Sequence, residues 1–421
     1  MRILLTGATG FIGRHIGRAL LESGHEVVGC SRNRHAAFRD YPGLGWMHAD
    51  FASDRTVEPW RARLTGFDAV VNAAGILREK ADRSFAAVHF EGPRALFEAC
   101  AERGLRRVIH VSALGCERNP RPYAETKARL DRHLATLDLD WTVLRPSLVY
   151  GEDSPSSKLF RFLARLPVIP VVADGGQWLQ PIHVEDLARI VIRLLEDGAA
   201  HGEVLELGGP SRVTYRDFLA ELRASLHESG SRFLRVPLAV ARLGAQASDL
   251  VGIGPVGMDT LSMLVDGNVT TANRARALLG RDPMSVREFA TSKSSRRGLV
   301  FLYDGSCGIC ATESARLRRW NRRRDTLSFI DISAESFDPM PYGKPLDELM
   351  GRVHAIRPDG AVLVGMDAIR AAYAEVGLGW LLAPTGWPGM RPLFDAGYLW
   401  FARNRYSISK AVCRSGNRCG I

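Results

Sequence analysis

The sequence predicts an α/β protein: a doubly wound parallel sheet with a small C-terminal lobe, followed by a second, smaller α/β domain. Three observations predict it. Short apolar strand patterns alternate with amphipathic helix patterns from residue 2 to about 150. A polar, charged stretch from Ala290 to Gly298 then interrupts the pattern. After it a strand and a helix start afresh, with Cys307 and Cys310 at the turn between them. The 421 residues, 46% hydrophobic and 24% charged, suffice for two or three globular domains and exclude a disordered or fibrous chain.

Arg2–Thr6 reads as the first strand. Gly7, Gly10 and Gly13 stand three apart directly after it, in Thr6-Gly7-Ala8-Thr9-Gly10-Phe11-Ile12-Gly13, and open a helix over Phe11–Ser23 patterned by Ile12, Ile16, Ala19 and Leu20. Strand, glycine turn and helix N-terminus in that order cradle a pyrophosphate. Glycine permits positive φ and close backbone approach, and the free N–H groups of the first helical turn face the anion. Further strands are expected at His25–Ser31, Gly45–Ala49, Asp68–Ala73, Arg107–Ser112 and Trp141–Arg145, with helices over Phe85–Arg103 and Tyr123–Leu137.

The end of the second strand selects the dinucleotide. An NAD site places Asp or Glu about twenty residues after the glycines. Here the chain reads Cys30-Ser31-Arg32-Asn33-Arg34, with no acid between Glu26 and Asp40. An arginine can hold a 2′-phosphate in two hydrogen bonds. NADP(H) is therefore expected over NAD(H), with Arg32 as first contact and Arg34 as second; the alternative is two solvated loop arginines. Ala73-Ala74-Gly75 supplies small residues along which a cofactor can lie. Ser112 ends the fifth strand, and Tyr123 and Lys127 share one helical face at i and i+4. An ammonium beside a phenol favours the phenolate, so Tyr123 is a candidate acid/base, with Ser112 polarising the substrate oxygen and Lys127 also holding ribose. The alternative is that Tyr123 packs and Lys127 only binds the cofactor.

Residues 1 to about 290 resemble the atypical and extended short-chain dehydrogenase/reductase superfamily, most of all the group around the NADPH-binding accessory subunit of respiratory complex I. The resemblance rests on the glycine turn, on Val88-His89-Phe90-Glu91-Gly92-Pro93, on Leu144-Arg145-Pro146-Ser147-Leu148-Val149-Tyr150-Gly151 and on Gln180-Pro181-Ile182-His183-Val184-Glu185-Asp186-Leu187. It implies a Rossmann fold, an adenine contact from Asp50, a place beside the nicotinamide for Pro146, and a lobe from about residue 152 that forms the substrate pocket. His89 stands where many extended relatives have Asn. Helices at Leu159–Leu166, Val184–Asp197 and Tyr215–Ser225 and a strand at Glu203–Leu207 are expected in that lobe. Its stretch Leu234–Leu264 is markedly apolar, either as a roof over a hydrophobic substrate or as ordinary core. Trp178 either faces the pocket or packs.

Residues 291–298 read as a linker, and 299–421 as the second domain. Leu299–Tyr303 is a strand, and Cys307-Gly308-Ile309-Cys310 opens a helix to about Arg322. A C-x-x-C at a helix N-terminus after a strand is a redox pair: the helix end stabilises a thiolate at Cys307, and Cys310 resolves the mixed disulfide. Half a zinc site, with Cys413 and Cys419 as distant partners, and two inert thiols are the alternatives; no metal is expected. This half resembles the DCC-family thiol–disulfide oxidoreductase-like proteins, which implies a thioredoxin-like fold. The match lies in Tyr303-Asp304-Gly305-Ser306-Cys307-Gly308-Ile309-Cys310, Val353–Gly360, Gly365–Ile369 and Arg403-Asn404-Arg405-Tyr406. Arg316, Arg318, Arg319, Arg322, Arg323 and Arg324 surround Trp320, as a solvated basic face or a contact for anionic lipid or an acidic partner. Trp380, Trp387, Phe394, Tyr398, Trp400 and Phe401 are expected in the small domain's core; exposed, they would mark a membrane or protein interface.

The net charge is +10, and the seven cysteines are an odd, scattered set that argues against a disulfide framework. The first strand begins at residue 2, and no apolar run is long enough to cross a bilayer, so a cytoplasmic protein is expected, peripheral to a membrane at most. No nucleic-acid partner is expected. Two functions are carried forward. One is a two-module oxidoreductase, acting on a small apolar carbonyl or quinone-like substrate and on thiol/disulfide proteins. The other is a non-catalytic NADP(H)-bound scaffold or assembly factor for a membrane redox complex.

Overall fold

The computed structural model describes residues 1–41, 43–198, 200–226, 230–251, 257–291, 299–321, 326–334, 337, 339, 344–357 and 361–414. They form two compact units, Met1–Arg34 with Leu44–Ser292, and His35–Gly43 with Lys293–Ile421. Most of the expected linker, 292–298, lies outside the described residues.

In the first unit β1 (Arg2–Thr6), β2 (Glu26–Ser31), β3 (Gly45–His48), β4 (Ala69–Asn72), β5 (Arg107–Val111), β6 (Asp140–Pro146) and β7 (Glu203–Leu207) form one parallel sheet in the order β7-β6-β5-β4-β1-β2-β3. The central strands are buried on both faces, which is why they read as unbroken apolar runs. Helix α1 (Phe11–Glu22) leaves β1 toward one face, where it packs with α4 (Val184–Asp197). Helices α2 (Gly92–Arg103) and α3 (Pro122–Leu134) bury Leu96, Phe97 and Leu130 in a cluster with Leu4, Val70 and Val108 of the sheet. Chain order therefore reverses between β1 and β4, and the C-terminal strand ends open a crevice there.

Two elements differ from expectation. Glu203–Leu207, expected in the lobe, is the seventh strand, paired in register with β6 through Leu205↔Leu144. The helix expected over Phe85–Arg103 is a wide π-type turn at Ala86–Glu91 before α2 begins. Pro93 has no N–H to close the regular turn, and a Cβ on Gly92 would come within 2.6 Å of Phe51 Cβ.

In the second unit β8 (Leu299–Tyr303), α5 (Gly308–Asn321), β9 (Leu327–Asp331), β10 (His354–Ile356), β11 (Val362–Val364) and α6 (Met366–Glu375) follow in sequence. The sheet runs β9-β8-β10-β11, with β8 parallel to β9 and antiparallel to β10, a thioredoxin-like arrangement. The helix Leu346–Gly351 precedes β10, and α7 (Gly379–Leu382) and α8 (Arg391–Arg414) follow α6. Leu299, Phe301, Leu317, Leu327, Ala368 and Ala372 make its core. The aromatic cluster expected there is not the core: Trp380, Trp387 and Trp400 are exposed, and only Tyr398 turns inward far enough for its hydroxyl to accept from the Val353 N–H, at 2.8 Å.

Candidate functional site

The glycine spacing is enforced by the backbone. Gly7 has φ +70°, and a Cβ there would lie 2.5 Å from the Ala73 carbonyl oxygen. A Cβ on Gly13 would lie 2.1 Å from the carbonyl oxygen of Gly7. Only glycine lets the end of β4 and the start of α1 approach this closely. Gly10 N–H donates to Gly7 O at 2.8 Å, and no side chain caps α1, so its first-turn N–H groups are left for an anion. Thr9 is exposed on the turn and Ile12 half-buried. Phe11 lies against the site of Gly151, where a Cβ would meet its ring at 2.7 Å.

Parallel strands bring the remaining candidates to the same edge. Ala73, Ala74 and Gly75 leave β4; a Cβ on Gly75 would meet only His89 Nε2 at 3.7 Å and Lys127 Nζ at 3.8 Å. Pro146 ends β6, and its carbonyl accepts from Leu114 N–H. Asp50 lies past β3, one carboxylate oxygen accepting from Ala52 N–H at 3.0 Å. Arg32 is exposed past β2 and faces Asp82 across 3.6 Å. Arg34 is exposed at the start of the next helix. These residues put free N–H donors, small side chains and polar groups along one edge of the sheet, which suits a nicotinamide dinucleotide.

Tyr123 and Lys127 sit one turn apart on α3. The Tyr123 ring stands edge-on to His89, with centroids 5.2 Å apart, and to Phe85 at 5.8 Å. Burial pushes its phenol pKa up, helped by Cys116 and Asp259, so the group stays protonated. The expected phenolate beside an ammonium is therefore not what the surroundings favour. His89 is a neutral imidazole. Its Nε2 accepts from Ile76 N–H at 3.0 Å, which leaves Nδ1–H facing Thr126 Oγ1 at 3.3 Å, and burial holds its pKa well below the ordinary value. The Ser112 hydroxyl donates to Asp131 Oδ2 at 3.0 Å.

Asp131 is the centre of a buried network that the sequence left unread. It also accepts from Arg145 Nε at 2.9 Å, and Arg145 reaches Glu117 at 2.7 Å. Its four-residue spacing from Lys127 was the only available signal. Lys127 Nζ is buried and donates to Val111 O at 3.2 Å. Burial lowers its pKa, so the unfolded chain binds that proton more tightly, and stability rises with pH up to the ordinary lysine value near 10.4. Lys127→Met is expected to abolish that pH dependence in urea titration, because it removes the desolvated group that titrates.

The lobe roofs this corner. Arg78 donates to Ser248 Oγ at 2.8 Å, and Arg121 pairs with Asp259 at 3.4 Å, tying the loops beside Tyr123 to the helices Leu238–Val251 and Met258–Val265. Leu234, Val240, Leu243 and Trp178 are exposed, so this part of the lobe is not ordinary core.

In the second unit Cys307 precedes α5 and its carbonyl accepts from Ala311 N–H at 2.9 Å. Cys307 is 1% exposed, whereas Cys310 is half-buried. Burial, then the hydrogen bond to Cys307 and its charge, push the Cys310 thiol up to about 12, so Cys310 keeps its proton. A buried clamp holds the loop. Asp304 Oδ2 accepts from Arg405 at 2.8 Å and from the Tyr406 hydroxyl at 2.6 Å, while Oδ1 accepts from Ser306 N–H at 3.0 Å. In the sequence Arg405 and Tyr406 carry only the family resemblance; the fold brings them to Asp304. Arg318 is exposed yet anchored: it donates to the Tyr303 hydroxyl at 2.8 Å and lies over Tyr303 and Phe329, while Arg316 pairs with Glu313 and Arg319 is exposed. Arg322, Arg323, Arg324 and Cys419 and the side chain of Cys413 lie outside the described residues, among which no group of His, Cys, Asp and Glu could hold a metal ion.

Residues 3–208 match the model of the NAD dependent epimerase/dehydratase family, and 301–411 that of DCC1-like thiol-disulfide oxidoreductase. An uncharacterised Mycobacterium tuberculosis protein is 30% identical over 58% of this chain, and the match spans 26% of its own length. Subunit 9 of the NADH dehydrogenase [ubiquinone] 1 alpha subcomplex of Arabidopsis thaliana is 28% identical over 58% of this chain and 62% of its own. The ceramide reductase of Caulobacter vibrioides is 28% identical over 56% and 73%. An Escherichia coli NADPH-dependent quinone oxidoreductase, QOR2, shares the fold, with TM-score 0.54 and 21% identity over 69% of this chain and 99% of its own.

Proposed function

The chain joins an NAD(P)-binding Rossmann domain of the epimerase/dehydratase type to a DCC1-like thiol–disulfide oxidoreductase domain, and from that premise we propose an NADP(H)-dependent reductase of apolar carbonyl compounds linked to a dithiol module. The observation that carries the reading is Tyr123, a protonated phenol one helical turn before Lys127 and edge-on to His89, the two residues that line the backbone at Gly75. A bound nicotinamide supplies a hydride. The α1 N–H groups hold its pyrophosphate, Lys127 the ribose hydroxyls, Asp50 the adenine amino group and Arg32 the 2′-phosphate, with Pro146 beside the ring. Tyr123, protonated in these surroundings, gives its proton to the carbonyl oxygen as charge develops there. The ceramide reductase relative supports an apolar carbonyl or quinone-like substrate. In the second unit Cys307 attacks a partner disulfide and Cys310, which keeps its proton until then, releases the mixed disulfide.

A holder of NADP(H) for a membrane redox complex is the second reading. It is favoured by the commitment of Ser112 to Asp131 and by the complex I relative. Incubation with NADPH and a long-chain ketone or a quinone separates them: the reductase reading expects NADPH oxidation matched by alcohol or quinol in mass spectrometry, and tight NADPH binding without product across such a panel sinks it. Arg32→Ala is expected to weaken NADPH binding by roughly ten-fold while leaving NADH binding unchanged. Equal losses for both would remove Arg32 from the site.

A further inference from the structure

Between Glu375 and Asp395 the chain carries no acid but holds Trp380, Leu381, Trp387, Met390 and Leu393. All five are exposed: Trp380 at 70%, Trp387 at 61% and Leu393 at 67%. Trp400, at 65%, continues the surface. On α8 the exposed residues Leu393, Ala396, Gly397 and Trp400 fall at i, i+3, i+4 and i+7, one stripe along the helix. Monomeric proteins seldom leave so much contiguous aromatic and aliphatic surface in water without a use for it.

The segment is held in this position from inside. Arg370 of α6 donates from Nε to Thr385 Oγ1 at 2.9 Å and from Nη2 to Thr385 O at 2.7 Å, and reaches Asp367 and Asp395 with its remaining donors. Thr385 is buried, so the turn between Trp380 and Trp387 is pinned by its polar residue while the indoles face outward.

Charge identifies the occupant. From residue 293 onward the chain has 19 Lys and Arg against 12 Asp and Glu; beyond Glu375 it has six against one. That single acid, Asp395, is paired with Arg370 and Arg391. Arg403 is exposed one turn beyond Trp400. Of the six, Arg405 is buried on Asp304, and the exposed pair beside the indoles is Arg391 and Arg403. Indoles and leucines beside these two arginines, with no unpaired carboxylate among them, match the headgroup region of an anionic bilayer: indole rings favour the interface and guanidinium groups favour the phosphates. Among the described residues no helix is long and apolar enough to cross a membrane, so the contact lies on the surface.

We infer that the C-terminal unit docks on an anionic lipid surface through Trp380, Trp387, Leu393 and Trp400. The test is flotation of the full chain with vesicles of phosphatidylcholine alone or mixed with phosphatidylglycerol. The wild-type chain is expected to float with the mixed vesicles and to show blue-shifted, bromolipid-quenched tryptophan fluorescence. A Trp380→Ser, Trp387→Ser, Trp400→Ser chain, with unchanged circular dichroism melting because all three positions are exposed, is expected to lose roughly ten-fold or more of the binding. Arg403→Glu tests the charge separately and is expected to cost about five-fold or more on the mixed vesicles. A wild-type chain that stays at the bottom with both vesicles, or floats no better than the triple variant, overturns the assignment and hands the surface to a protein partner. Equal flotation with neutral and anionic vesicles overturns the anionic part of it.

Discussion

Tyr123→Phe is expected to lower NADPH-dependent turnover by about 10²–10⁴-fold while leaving NADPH affinity and melting temperature unchanged. The separation follows from what the phenol touches. Its ring contacts with His89 and Phe85 belong to carbon atoms that phenylalanine keeps. Its hydroxyl makes no hydrogen bond among the described residues, so its removal orphans no buried partner. The oxygen therefore matters only if a substrate oxygen comes to it. Lys127→Met is the complementary change, because it leaves the proton donor in place and removes the ammonium from the cofactor ledge beside Gly75. Turnover that survives Tyr123→Phe would assign Tyr123 to packing and leave the first unit as a holder of its dinucleotide. The pair is read by stopped-flow NADPH oxidation together with equilibrium fluorescence titration.

The glycine turn was legible because hard backbone contacts dictate it. No residue but glycine fits at positions 7 and 13, where a Cβ would collide with the Ala73 or Gly7 backbone. Once the strands are parallel, Asp50, Gly75, Ser112 and Pro146 must reach one edge of the sheet. What the sequence could not yield was the polar wiring below that edge. Asp131 reads as an ordinary helix-face acid, and nothing in its neighbours tells that Arg145 from β6 and Ser112 from β5 converge on it. That convergence is tertiary, and it gives the Ser112 hydroxyl an acceptor inside the protein. The aromatic cluster failed for a different reason. Residues 376–390 follow neither a helical nor a strand period, so their apolar side chains had no inward face to be assigned to. Composition alone then argued for core, whereas Arg370 and Thr385 hold the indoles outward.

The largest stability effect is expected at the clamp behind the cysteines. Arg405 and Asp304 are both buried, and their 2.8 Å pair joins α8 to the loop that leads into Cys307. Breaking a buried ion pair from one side leaves an uncompensated charge and costs about 3–5 kcal/mol. Arg405→Met is expected near the lower end of that range, because Asp304 keeps the Tyr406 hydroxyl and the Ser306 N–H as donors. Hydrogen-exchange mass spectrometry is the measurement, since it reads the two units separately: peptides from β8 and α5 should lose protection while those of β1 and β4 do not. The double change Asp304→Leu, Arg405→Met removes both charges at once and is expected to cost less than the two single changes summed. Additive losses would mean that the two residues act independently and that the clamp contributes no coupling. The same geometry ties stability to redox chemistry, because the Asp304 carbonyl accepts from Cys307 N–H at 3.3 Å. A loop freed from α8 no longer fixes the Cys307 backbone at the start of α5, so Arg405→Met should also shift the Cys307–Cys310 reduction potential measured against glutathione.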